Sequence, residues 1–486
     1  MITPDAPFRS YSTRLRTALV FTGSGTAGAY HAGVLRALHE AGVKIDIVAG
    51  RGMGAVSAVF SAIDGSARLW EPAGIWKDPA ASRFYSWRRP LVLAGYAALA
   101  AALVLVLPLA LLALAVLAGL AGMSLQLVGF ESAGTTVTNT FTRWVDTLFA
   151  PAALPTVVPR LVLFALLVAF AILASALVAS YVRDPGRRRS RSGVIARLFG
   201  APLSSATLRN RCASELWNLI RGAAPLSAPP PLELARKYVE LLSENLGQPG
   251  FRELLLVVHD MDTRRDMVFG LLKPQHRGRF FAGAGDPAGT RRGETFDLAG
   301  VAREHALDAM AAAVALPIAV DPHMVRFSPE GPWRGEAHRL CDRPDALSRL
   351  IEEAAHAGAE QVILVSAAAP PARAHELSAQ RADFRGRAGE HLASFEAASL
   401  RDGLEHFTGR FAGLFVIRPA HNPVAPLDLR GVYDERSDRR YTVAELDDRG
   451  YQDAYRQFIE PVVGAGTEPA GPVQRMHGVP ATRPQL

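Results

Sequence analysis

Two glycine turns near the N-terminus carry the residues whose types and spacing point to chemistry. The first, Gly23-Ser24-Gly25-Thr26-Ala27-Gly28, follows the apolar run ALVFTG (18–23) and opens a helical stretch. Taken alone it is a G-x-G-x-x-G dinucleotide loop. Such a loop needs an acidic residue closing the next strand, whereas Asp46 lies inside KIDIVAG (44–50) with strand residues still to follow. No nucleotide or other cofactor is expected. The second turn, Gly50-Arg51-Gly52-Met53-Gly54, again joins a strand to a helix. That is the layout of a G-x-S-x-G nucleophile elbow, whose central residue projects from a sharp, strained turn. Backbone N–H groups of an upstream loop (Gly23, Ser24, Gly25, Gly28) that faced this tip would make an oxyanion hole. Yet the tip residue is Gly52, which has no side chain to attack anything.

Positioning two such turns takes a particular frame. ALVFTG reads as a buried strand, AYHAGVLRALHEAG (29–42) as a helix, KIDIVAG as a second strand and AVSAVFSAI (55–63) as a second helix. This β-α-β-α start is the pattern of a parallel sheet with covering helices. Two strands cannot bury a sheet, so the rest must come from the region after APPPL (228–232). Strands are expected at 251–260, 360–366 and 413–419, and helices at 392–407 and about 445–463. A polar linker over 370–391 and a disordered Gly/Pro-rich tail over 464–486 complete the reading.

Within that frame the two turns resemble those of the patatin-like phospholipases, α/β acyl hydrolases that act on lipid esters with a Ser-Asp dyad. The resemblance extends to VVHDMDTRRDMVFG (257–270), AMAAAVALPIAVDP (309–322), AGAEQVILVS (357–366) and LDDRGYQDAYRQF (446–458). It implies an α/β fold, a three-layer patatin-like sheet with covering helices. The family's pattern then fails where the chemistry would be. The nucleophile position, flanked by Gly50 and Gly54, is Gly52, and losing a nucleophile costs about six orders of magnitude in rate, roughly 8 kcal/mol. Ser24 stands at a usual glycine and Ala27 at a usual Arg or Lys. The dyad aspartate should sit in a D-G-[GA] turn, and none occurs between Pro317 and Leu350. Placing Asp342 and Pro344 in the family's Asn-x-Pro puts the acid position at Glu336. A pseudoenzyme is the leading expectation. An active lipid acyl hydrolase using Ser24 or Ser57 is the alternative. His31 and His259 lack ligand spacing, as do Cys212 and Cys341, so no metal is expected.

The remaining signal is hydrophobic. The chain has 486 residues, 49% hydrophobic and 20% charged, with a mean hydropathy of +0.12. No charge falls between Arg89 and Glu131 or between Arg160 and Arg183. Spans are expected at about 91–122 and 161–182, each longer than the ~20 residues that cross a ~30 Å hydrocarbon core. Together they form a two-helix transmembrane hairpin inserted after the elbow helix. The domains are then 16–84, the insert 85–211, and 212–463 completing the first. Arg88 and Arg89 precede the hairpin, and Arg187, Arg188, Arg189 and Arg191 follow it. The positive-inside rule sets these flanks in the cytoplasm, and the Ala/Arg-rich composition suggests a bacterial inner membrane. A net charge of only +7 does not call for nucleic acid. Membrane lipids are the expected partners, with a homo-oligomer through small residues such as Gly95, Ala98 and Ala102 as a further one.

Overall fold

The computed structural model describes residues 11–148, 157–183, 200–282, 293–330, 333–370, 383–420, 422–433 and 439–464. The chain divides into two compact units, Met1–Tyr85 with Ser205–Leu486, and Ser86–Ser204. The arginines at 187–191 and the tail beyond Gly464 lie outside the described residues, as does most of the expected linker.

In chain order the described strands are β1 (Thr17–Thr22), β2 (Ile47–Gly50), β3 (Ser86–Trp87), β4 (Leu203–Ser204), β5 (Glu253–Asp260), β6 (Arg265–Leu271) and β7 (Gly293–Asp297), followed by β8 (His323–Arg326), β9 (Ala337–Cys341), β10 (Gln361–Ser366), β11 (Gly413–Ile417), β12 (Val432–Tyr433) and β13 (Arg440–Tyr441). The first helices are α1 (Ala27–Glu40), α2 (Met53–Ala62), α3 (Ala67–Trp70), α4 (Arg89–Leu127), α5 (Glu131–Leu148) and α6 (Val157–Arg183).

The first unit is built on a mixed sheet in the order β11-β10-β1-β2-β5-β6-β7, with β9 pairing β5 and β8. Strands β10, β1, β2 and β5 are mutually parallel, and β6 runs antiparallel to β5. Strands 17–22 and 47–50 therefore sit in the middle of a sheet whose flanking neighbours are distant in sequence, Thr17 pairing with Gln361 on one side and Ile47 with Glu253 on the other. Buried parallel strands explain the continuous apolar runs. Alternate side chains serve opposite faces. Ala18, Val20, Ile47 and Ala49 pack with Leu350 and Ile351 of the Leu347–His356 helix and with Leu400 of the Phe384–Phe407 helix. On the other face α2 lies so close to β1 that a Cβ on Gly54 would sit 2.6 Å from that of Phe21.

Two elements differ from expectation. The Phe384–Phe407 helix begins inside the stretch expected to be linker, because Asp383 accepts a hydrogen bond from Gly386 N and caps it. The closing helix, Leu446–Ala454, passes into a π-helical Tyr455–Val463 segment containing Pro461.

The second unit holds α4, α5 and α6, with β3 and β4 paired at Ser86↔Ser204 and Trp87↔Leu203. Helix α4 is 39 residues long and overruns the expected span at both ends. Its two apolar stretches, Arg89–Val106 and Leu109–Leu127, and a third in α6, Pro159–Ala179, are each long and apolar enough to cross a membrane. Helix α5 lies between the two expected spans, where the sequence reading assigns no element. Its apolar side chains recur at Val137, Phe141 and Val145, a helical spacing that the surrounding threonines obscure.

Candidate functional site

The two glycine turns meet at the C-terminal end of the central parallel strands. Gly50 ends β2 between Phe21 of β1 and Leu256 of β5, and the chain reverses directly into α2. At the tip Gly52 has φ 55° and ψ −134°, a conformation costly for any residue with a Cβ. Met53 N donates to Gly23 O at 2.8 Å, so the second turn is tied to the first. The space beside the tip is small. A Cβ on Gly52 would lie 2.5 Å from Gly23 O and 3.0 Å from Asp342 Oδ2.

That space is filled from within the chain by a buried ionic cluster. Arg51, fully buried, donates through Nη1 to both carboxylate oxygens of Asp342 at 2.9 Å. It also donates through Nη2 to Glu396 Oε1 at 2.8 Å and through Nε to Thr22 Oγ1 at 2.9 Å. Ser24 Oγ lies 2.8 Å from Asp342 Oδ2 and 2.6 Å from Glu396 Oε1. One hydroxyl proton cannot serve two carboxylates together, so a second proton is required. Burial, the largest influence, raises the Glu396 pKa, with Arg51 acting against it. A protonated Glu396 donating to Ser24, with Ser24 donating to Asp342, satisfies every contact. It also leaves one cation against one anion, the arrangement that burial favours.

The carboxylate beside Gly52 is Asp342, whereas Glu336, the acid position inferred from spacing, lies elsewhere. Glu336 points outward, its side chain 66% exposed and 3.3 Å from His338 Nε2, in the loop before β9. Asp342 follows β9 immediately, and the antiparallel register His259↔Cys341 carries it to the end of the central sheet. In sequence it reads Asp342-Arg343-Pro344, with no D-G-[GA] triplet to draw notice. Glu396, 372 residues from Ser24, left no signal at all in the local sequence.

The first turn is closed by another part of the chain. Thr26 N and Oγ1 both donate to Pro426 O, at 3.0 and 3.1 Å, at the N-terminus of α1. A Cβ on Gly25 would meet that same oxygen at 1.8 Å. A carbonyl thus already accepts hydrogen bonds at the positive end of the helix. Gly28 packs against Trp76, whose Cζ2 would lie 2.2 Å from an added Cβ.

The other residues with chemical potential are held in the core or in ion pairs. Ser57 Oγ lies 3.3 Å from His31 Nδ1, and His31 Nε2 faces Thr22 O at 3.2 Å, with both side chains buried. Burial above all lowers the His31 pKa to about 3, so it is neutral at physiological pH. His259 pairs with Asp266. Among the described residues, Asp260, Asp262 and His338 bring ligand atoms within 4.8 Å of one another. Each is already engaged, Asp260 with His338 Nδ1 at 2.7 Å and Asp262 with the Arg339 backbone N at 2.8 Å.

A family model described as patatin-like phospholipase matches residues 19–342, a segment that runs from β1 to Asp342. The chain belongs to the patatin-like phospholipase family. Among curated proteins none matches. Among solved structures, VipD from Legionella pneumophila is similar at 12% identity and a TM-score of 0.31, over 94% of this chain and 68% of that one. The matched segment includes both glycine turns, and Gly52 lies in the second of them beside the Arg51-centred cluster.

Proposed function

We propose that this patatin-like protein is a membrane-anchored pseudoenzyme that binds lipid or a partner without the family's hydrolysis. The observation that carries the reading is the turn at Gly52, where the nucleophile is missing and the position its side chain would need is closed by Gly23 O and Asp342. The acid at Asp342 is spent on Arg51, and the first turn's helix N-terminus is capped by Pro426. Together these remove nucleophile, free base and open anion cradle. The apolar helices α4 and α6 support the anchoring half of the reading.

A second reading, that of an active lipid acyl hydrolase, rests on one contact. Ser24 Oγ lies 2.8 Å from Asp342 Oδ2, so a serine–aspartate pair exists with the hydroxyl supplied by the first turn. Burial of Ser24 and its second acidic partner argue against its reaching an ester. A fluorophosphonate probe separates the two readings on detergent-purified protein. No adduct and no esterase burst are expected. An adduct mapping to Ser24 or Ser57 would establish the hydrolase instead. Mass spectrometry of co-purified lipid then names the ligand.

A further inference from the structure

Helix α4 is too long for one straight crossing. At 39 residues it measures about 58 Å, against about 30 Å for the hydrocarbon core and 40–45 Å for the whole bilayer. Its two apolar stretches, Arg89–Val106 and Leu109–Leu127, would each suffice alone, and Pro108 stands between them. Proline removes one hydrogen bond of the helical ladder and is the usual origin of a helix bend.

The second half of α4 has its own companion. A Cβ on Gly122 would lie 2.2 Å from Thr138 Oγ1, and one on Gly134 would lie 2.5 Å from Gly122 O. Ala115, Ala118 and Gly119 of α4 face Phe141, Thr142 and Val145 of α5 across a cavity of about 150 Å³. The two helices are therefore packed antiparallel along their small residues. What remains outside is sharply divided. On α4, Leu109, Leu112, Leu117, Leu120 and Met123 are each more than half exposed. On α5, the exposed face away from α4 carries Thr136, Asn139, Arg143 and Thr147. The pair is an amphipathic leaf two helices thick, leucine on one side and hydroxyl or charge on the other.

We infer that the leaf formed by Leu109–Leu127 and α5 lies flat in the membrane interface, α4 bending at Pro108 after its first half has crossed. Its occupant is the lipid surface. The leucine face is continuous in one helix with the stretch that crosses. The α5 face, with Glu131, Arg143 and Asp146, is too polar for hydrocarbon. Exposed Trp144 suits the headgroup level. The inference rests on the membrane-anchored reading, and its test separates the two.

Full-length protein with Cys212 and Cys341 replaced by alanine receives single nitroxide labels after reconstitution into phosphatidylethanolamine–phosphatidylglycerol vesicles. Accessibility to oxygen and to a water-soluble nickel chelate is then read at Leu99, Leu112, Leu117, Leu120, Thr136, Asn139, Arg143 and Leu166. The leaf predicts oxygen access without nickel access at 112, 117 and 120, at one shared shallow depth, with nickel access at 136, 139 and 143. Depth changing by about 12 Å from 112 to 120 would mean an upright helix and overturn the leaf. So would nickel access at all three, or its loss along α5. Nickel access at 99 and 166 would overturn the anchoring itself.

Discussion

Gly52 is the most constrained position of the second glycine turn. Its φ of 55° suits glycine, and any Cβ there meets Gly23 O at 2.5 Å. Gly52→Ser should therefore lower stability by about 1–3 kcal/mol, read from thermal unfolding in detergent. Gly52→Ala should lose the same amount, since the Cβ and not the hydroxyl causes the strain. Neither should hydrolyse a p-nitrophenyl ester, because Asp342 is already held by Arg51. Unchanged stability in both would show that the turn is not strained, and strong activity in the serine variant would show that a working base survives. Glu396 permits a pH test. Burial raises its folded pKa above the unfolded value of about 4.3. The stability tied to its proton is then complete below that value and is lost as pH rises through the folded pKa. Glu396→Gln lacks this loss, so its stability should improve relative to the parent as pH climbs from about 4.3. A constant difference in urea unfolding across pH 4.5–8 would show that Glu396 carries no displaced proton. At this scale the sequence was half legible. The two turns could be read because their glycines fall within five or six consecutive residues between a strand and a helix. Asp342 could not, because its role depends on the β9–β5 register rather than on any neighbouring glycine.

At the scale of elements, the buried strands were legible, and the charged helix expected at 392–407 was legible except for its start at Phe384. Runs such as ALVFTG and EQVILVS announce central parallel strands because both faces are covered. The Phe384–Phe407 helix opens on FRGR, with Gly386 and Gly389 in its first two turns, so its start reads as linker. Its beginning is fixed by Asp383, which accepts from Gly386 N at 3.3 Å. Asp383→Ala should cost about 1 kcal/mol, within the usual 0.5–2 for a lost cap, and a shift in melting temperature would register it. No shift would mean that packing of Leu400 and Phe407 against the sheet alone sets the helix. Helix α5 was missed for the opposite reason. Threonines such as Thr135 and Thr136 bond back to Glu131 O and Ser132 O, satisfying hydroxyls that in a sequence suggest a loop.

For the whole molecule, the open question is which side of the membrane each part faces. Arg88 and Arg89 precede the first apolar run, and Arg187, Arg188, Arg189 and Arg191 follow the second, whereas the stretch between the two runs carries Glu131, Arg143, Asp146 and Arg160. Lysine and arginine near the ends of spans are retained on the cytoplasmic side, and the bias among these residues is six arginines to two. The α/β unit should then lie inside and α5 outside. A membrane-impermeant maleimide tests this on intact cells. The protein's own thiols interfere little, because Cys212 and Cys341 are buried and burial pushes both pKa values up to about 12. At neutral pH almost none of either is thiolate, the form that reacts. Thr135→Cys, on the exposed surface of α5, should label from outside. Ser227→Cys, on an exposed loop of the α/β unit, should label only after lysis. The reverse pattern would invert the orientation. Labelling of both only after lysis would place them on one side, so that α4 and α6 together form no crossing hairpin.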